Sequence, residues 1–231
     1  SVGWTWDYGN ETTPGTLIRR NHIHHLGMSQ LMSDLGGIYT LGEQPGTLLE
    51  RNWIHDVRCA TYGGWGIYLD EATSGAEIRE NVIYDISSEA IHLHYGRSNT
   101  VSGNLLVGGA HGVIALTRAE EGNALAVTGN MLVPQGTPLY RMPAQLPARA
   151  VESESNRILM TTDDRVAVGS GHYNSLGIWV WDAEVPFHAW AVAHESRSTI
   201  APAPADVVDR IRRRQWATAL YASTPITDSE F

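Results

Sequence analysis

Lysine is absent from this chain of 231 residues: all sixteen basic side chains are arginine, and the 25 acidic ones outweigh them to leave a formal charge of −9. That balance argues against nucleic acid, because a polyanion would be repelled rather than held through released counterions. Neutral or cationic ligands fit better. Cysteine occurs once, at Cys59, which excludes an internal disulfide, and its place between Val57 and Tyr62 reads as a buried or turn thiol rather than a nucleophile. No apolar run is long enough for a signal segment or a membrane span, so no membrane partner is expected.

What is present is a repeat. Three segments align without gaps, starting at Gly15, Gly46 and Gly75 and ending at Leu26, Val57 and Ile86, with weaker copies from Asn99 to Gly108 and from Ala124 to Val133. The recurrent asparagines Asn21, Asn52, Asn81, Asn104 and Asn130 are 31, 29, 23 and 26 residues apart. Each repeat holds short stretches rich in Ile, Val, Leu and Tyr, broken by Gly, Asn, Asp and Ser. None has room for a capped amphipathic helix.

That content selects an all-β solenoid, a right-handed parallel β-helix with three short strands and three turns per coil, stacked about 4.8 Å apart. The spacing predicts one inward stack of Ile38, Ile67, Ile91 and Val113 and another of Ile23, Ile54, Ile83 and Leu106. The asparagines are structural, because an amide both donates and accepts and so can bond its copies along the axis while satisfying turn backbone. Alternation then exposes one file of Tyr39, Tyr68 and His92 and a parallel file of Leu41, Asp70 and His94, on a shallow face that also carries Trp65 and Glu43. In the same register Trp4 to Gly9 extends the files with Thr5 and Asp7. The chain starts as if inside this pattern, so a fragment preceded by further coils is expected.

An acid among aromatic rings and histidines suits glycoside cleavage, which needs two carboxyl groups flanking the scissile bond. Asp70 is the first candidate, beside Tyr68 and one coil from His94. Carboxylates one coil apart would stand roughly 5 Å from each other and two coils apart roughly 9–10 Å, the retaining and inverting ranges respectively. Asp7 and Glu43 satisfy neither well. Glu71 should turn inward or into the next turn. Tyr39, Tyr68 and Trp65 offer ring faces for sugars. His92 and His94, like His24 and His55, are too few for a metal site and are read as hydrogen-bonding groups, so no metal or cofactor is expected.

The set Ser33 to Gly42, Gln44 to Thr47, Asn52 to Val57, Tyr62 to Glu71 and His92 to Gly96 resembles the pectate-lyase-like β-helix proteins, most of all glycoside hydrolase family 141 and its relatives, over about residues 3 to 140. The resemblance implies a secreted or periplasmic enzyme acting on plant or other complex glycans, with fucosidase or xylanase activity among its members and acidic residues on the helix face. It carries Asp34 over as the second acid. Register counting objects, since Asp34 matches Gly63, before the strand, whereas Asp70 follows it. Glu43 is the reserve.

Residues 1–140 are therefore read as coils, 141–200 as final coils or a β cap, and 201–231 as a linker with Pro202 and Pro204 and a helix from Asp206 to Tyr221 whose arginines face solvent. The expected protein is a monomeric glycoside hydrolase with a poly- or oligosaccharide substrate. A polysaccharide lyase or uronate epimerase would need a cation, and this face shows only Arg97 and Arg118 nearby; a non-catalytic glycan-binding module would not need Asp70.

Overall fold

Every coil of this computed structural model gives one short strand to each of three sheets. The structure describes residues 1–9, 13–118, 120–143, 150–161, 166–176, 178–195 and 197–214. The first coil holds β1 (Val2–Gly3), β2 (Leu17–Arg19) and β3 (His22–Leu26), and the second β4 (Gly36–Leu41), β5 (Leu48–Glu50) and β6 (Trp53–Val57). The third holds β7 (Trp65–Leu69), β8 (Glu77–Arg79) and β9 (Val82–Ile86), and the fourth β10 (Ile91–Leu93), β11 (Asn99–Ser102) and β12 (Leu105–Val107). Next come β13 (Ile114–Leu116), β14 (Leu125–Thr128) and β15 (Met131–Val133), then β16 (Tyr140–Arg141), β17 (Val151–Glu154) and β18 (Arg157–Met160). The described chain closes with β19 (Val166–Tyr173), β20 (Trp179–Pro186), α1 (Phe187–His194), β21 (Thr199–Pro202) and α2 (Val207–Arg213).

The first sheet runs β1-β4-β7-β10-β13-β16-β19-β20, the second β17-β14-β11-β8-β5-β2 and the third β21-β18-β15-β12-β9-β6-β3. All these pairings are parallel except β19 with β20. The chain is thus a right-handed parallel β-helix with short C-terminal helices, as its repeat content requires. In the third sheet Ile23, Ile54, Ile83, Leu106, Leu132 and Ile158 stack in register inside the solenoid. In the first sheet the stack is Ile38, Ile67, Ile91 and Ile114, not Val113. A turn that closes from Gly109 N–H to the Gly112 carbonyl takes up one residue and puts Val113 opposite Ala90 instead. Val113 is still buried in the same core.

Six asparagines, the five expected and Asn156, form the ladder at one corner. From Asn52 onward each Oδ1 accepts the backbone N–H and the side-chain amide of the asparagine one coil earlier: Asn81 Oδ1 accepts from Asn52 N at 2.9 Å and Nδ2 at 3.0 Å. Each of these five amides also donates to the coil before, as Asn81 Nδ2 does to the Leu49 carbonyl at 2.9 Å. The residue ahead of every ladder asparagine is left-handed: Arg20, Arg51, Glu80 and Ser155 adopt φ 53–57°, and glycine serves at Gly103 and Gly129, where that conformation carries least strain.

Helix α1 covers the end of the core with Phe187, Trp190 and Ala191. Helix α2 lays Val207 and Ile211 against Val82, Tyr84 and Leu105 on the outside of the third sheet. The expected arginine face is partly engaged, Arg212 reaching Asp85 and Arg210 reaching Asp206 at 2.9 Å. The remainder of the helix expected to run to Tyr221 lies outside the described residues. No described helix is long and apolar enough to cross a membrane. After Gly169 pairs with Arg141, β19 leaves the solenoid and, with β20, folds back over the outer face of the first sheet. Its Tyr173 ring comes within 6.1 Å of the Tyr62 ring, just ahead of β7 and four strands earlier in the sheet.

Candidate active site

Strand alternation points Tyr39, Tyr68, His92 and Arg141 out of the first sheet in one file, but the hairpin turns what would be a shallow face into a cavity of about 600 Å³. Tyr68, His92 and Arg141 are buried at its floor. Trp65 lies there too, its ring 4.3 Å from Tyr68 and 4.2 Å from His92. Tyr62, Tyr173 and Trp179 form one wall, and Trp6 lies at the rim. Trp4 and Trp6 are 62% and 59% exposed, 6.1 Å apart. Such bare indoles cost solvation unless something stacks on them.

Asp70 follows β7 at the cavity edge and is 9% exposed. Tyr39 Oη donates to its Oδ2 at 2.6 Å, His94 Nδ1 lies 3.1 Å from its Oδ1, and Tyr68 also reaches it. Burial is the largest influence and pushes the carboxyl up, yet the hydrogen bonds from His94, Tyr39 and Tyr68 together bring it below the ordinary aspartate value. The complementary effect falls on the tyrosines: burial first, then the Asp70 charge, push the Tyr39 and Tyr68 hydroxyls far above their usual range. Asp70 is therefore a carboxylate and both tyrosines are donors.

Asp34 adopts φ 57°, and its N–H donates to the Tyr62 carbonyl at 3.0 Å. This left-handed turn, which a short polar side chain tolerates, precedes Gly36 and Gly37 and brings the residue to the same cavity as Asp70. The Asp34 carboxylate acts on Tyr62, whose hydroxyl is pushed up to about 12 by burial and then by this charge, and its field also reaches Tyr39 and Tyr68. The register count is right about the position of Asp34, beside Gly63. It does not account for tyrosine side chains long enough to span the two acids.

Other expectations are corrected. Glu43 is not in the cavity: after Gly42, at φ 77°, alternation is broken, and its carboxylate accepts the Gly9 N–H at 2.7 Å. Leu41 is fully buried rather than exposed, where β1 adds to the sheet. Thr5 and Asp7 do not extend the files, because Val2 and Gly3, four residues earlier, pair with Thr40 and Leu41. Glu71, expected inward or in the next turn, does lie in the turn after β7, but its carboxylate lines the cavity and accepts from Tyr95 Oη at 3.3 Å. Trp65 presents its ring to the cavity, but its N–H is already given to Glu89 Oε2 at 2.8 Å. His24 and His55 belong to a larger contact cluster with His22 and His25 on the outside of the third sheet. Among the described residues no three His, Cys, Asp or Glu side chains are arranged to hold a metal ion.

Four residues were not singled out from the sequence. Glu89 is fully buried and receives Arg141 Nε, Arg141 Nη2 at 3.1 Å, Ser88 Oγ at 2.8 Å and the Trp65 indole. Arg141 also stacks on Trp179, its guanidinium carbon 4.5 Å from the ring centroid. Tyr173 and Trp179 complete the wall. The Tyr39–Tyr68–His92 file continued to position 141 would have found the arginine; nothing periodic marks the hairpin residues.

A solenoid of stacked parallel coils whose flank carries carboxylates inside an aromatic cavity defines the class as a parallel β-helix protein. The chain belongs to the right-handed β-helix family: the family description, a right-handed β-helix region, matches residues 8–130, more than half of its length. That supports the pectate-lyase-like class, which includes polysaccharide-processing enzymes. No curated protein and no solved structure matches the chain.

Proposed function

We propose that the chain is a glycoside hydrolase, of the kind represented by family 141, cleaving a plant or other complex glycan in a secreted or periplasmic setting. One observation carries the reading: Asp34 and Asp70 line a single aromatic cavity, and three donors hold Asp70 ionised against its burial. In this reading Asp70 stabilises the oxocarbenium-like transition state as nucleophile or general base, and Asp34 is the second of the two carboxyl groups that flank the scissile bond. Tyr39 and His94 orient Asp70, and Tyr68, His92 and the Trp65 ring form the surface against which the sugar rests. Trp6 receives the next unit at the rim.

Arg141 supplies the cation that a lyase or epimerase acting on uronates would need, which is the specific support for that second reading. Its charge is already matched by Glu89, and the acids Asp34, Asp70 and Glu71 around the cavity would repel a uronate, so hydrolysis fits better. Incubating wild type and Asp70→Asn with plant glycans and aryl glycosides, while following reducing ends and the absorbance of unsaturated products in parallel, tests it. New reducing ends that vanish in Asp70→Asn are expected. Unsaturated products would establish the lyase, and binding without turnover, unaltered in the variant, a glycan-binding module.

A further inference from the structure

Among the described residues five buried side-chain polar atoms have no hydrogen-bond partner, and three of them belong to this one cavity: His92 Nδ1, Tyr173 Oη and Trp179 Nε1. His92 is only 5% exposed, and its other nitrogen is engaged with Thr117 Oγ1 at 2.7 Å, so Nδ1 is a buried polar group with nothing to bond. Leaving such a group unpaired is unfavourable, and three in one place is a cost that a bound ligand would remove.

The three line the end of the cavity that the hairpin closes. Tyr173 meets Tyr62 and Trp179 at ring separations of 6.1 and 5.1 Å, and Trp179 rests on Arg141, giving a continuous wall on that side. The exposed rings of Trp4 and Trp6 lie with Tyr39, outside this wall, Trp4 6.2 Å from Tyr39. A glycan crossing an open β-helix face would continue past its catalytic acids in both directions; here the path stops at a wall of the half-buried Tyr173 and Trp179 rings with the more exposed Tyr62 beside them. The chemistry of that end is also definite. Trp179 Nε1 donates, Tyr173 Oη donates or accepts, and the imidazole of His92 is kept neutral by its burial and then by the charge of Arg141. Three uncharged hydrogen-bonding groups beside aromatic rings match the hydroxyls and apolar face of a neutral sugar. The one cation, Arg141, is matched by Glu89, and Asp34, Asp70 and Glu71 make the surroundings negative.

We propose that the cavity is a blind pocket for the terminal residue of a neutral glycan, with His92 Nδ1, Tyr173 Oη and Trp179 Nε1 reading its hydroxyls and the rest of the chain leaving over Trp6. This deepens, and rests on, the carbohydrate reading above, and it makes the enzyme exo-acting, releasing one sugar at a time. Binding of fucose, xylose, arabinose, galactose, mannose and glucose, with galacturonate and glucuronate as acidic controls, is measured on the wild-type protein by saturation-transfer NMR and calorimetry. At least one neutral sugar should bind, the uronates should not, and Tyr173→Phe, which keeps the ring, and Trp179→Phe, which keeps an aromatic side chain without the N–H, should each weaken binding by roughly three- to tenfold for one lost hydrogen bond. Uronate preference, no binding of any neutral monosaccharide, or affinity unchanged in both variants would overturn the proposal, as would mid-length oligosaccharides among the first products of a neutral polymer. Monosaccharide binding that responds to the variants, without turnover of any glycan, would leave the pocket standing and sink the hydrolase.

Discussion

At the scale of single residues, burial works to neutralise Asp70 and its three donors keep it charged. Removing one donor should therefore let burial regain ground. In wild type the acid limb of kcat/KM is expected below the ordinary aspartate value of about 3.9, and Tyr39→Phe should move it upward, toward neutrality; a full pH profile of both proteins checks this. The same depressed value makes Asp70 a stabilising carboxylate above about pH 3.9, and that contribution is lost as pH falls through the folded value. Asp70→Asn, which loses the charge and one of the two acceptor oxygens, should lower kcat by at least about 100-fold and lower the melting temperature modestly at neutral pH. The pair beneath the floor behaves differently. Arg141→Met would strand Glu89 as a buried anion and should cost about 3–5 kcal/mol in urea unfolding, whereas Arg141→Met combined with Glu89→Leu should cost clearly less.

At the scale of elements, the asparagine ladder makes a graded prediction. Asn81→Ala removes the acceptor of the buried Asn52 N–H and one of the two acceptors of its amide, which keeps the Ile18 carbonyl, and takes the Asn81 amide from the Leu49 carbonyl, so a loss of about 2–4 kcal/mol is expected. Asn21→Ala, at the exposed end, should cost under about 1 kcal/mol; urea midpoints of the two variants test the difference. Elements of this kind were legible in advance because each coil restates the same local chemistry: an asparagine with an isoleucine or leucine two residues later. Val113 misled because one extra residue in a turn moves a strand by one register without changing its composition. Asp34 was reached through resemblance, and alternation alone would have discarded it. Tyr173, Trp179 and their wall were not readable, because they meet Tyr62 through an antiparallel excursion of over one hundred residues of sequence separation that no period announces.

At the scale of the whole molecule, each coil of a parallel solenoid is coupled directly only to its neighbours, so a disturbance of one contact between coils should be felt locally. The histidine cluster joins β3 to β6. His22 Nε2 and His55 Nε2 are 2.7 Å apart, His24 contacts His25, and His55 Nδ1 is held by Asp56 at 2.7 Å. Burial, then the charges of His24, His55 and His25, pull His22 below its ordinary value. The unfolded chain therefore takes up the proton first: this contribution is complete above about pH 6.5 and is lost as the pH falls below it. Amide exchange, corrected for intrinsic rates, should show β2 and β3 opening more at about pH 5.5 than at about pH 7.5, while β12 and β15 are unchanged. Equal protection at both values would show that the cluster tolerates its protons.

The hairpin described above joins the ladder of the first sheet through β19 and β16, otherwise touches the solenoid through side chains such as Tyr173 on Tyr62 and Trp179 on Arg141, and carries neither Asp34 nor Asp70. If the cavity is the pocket proposed above, two of the three groups that select its ligand are thus inherited apart from the carboxylates that act on it, and only His92 lies, like them, on the coils. A lineage could lengthen, shorten or re-letter this one excursion, and so change which molecules are admitted, while every coil that holds Asp34 and Asp70 keeps its sequence.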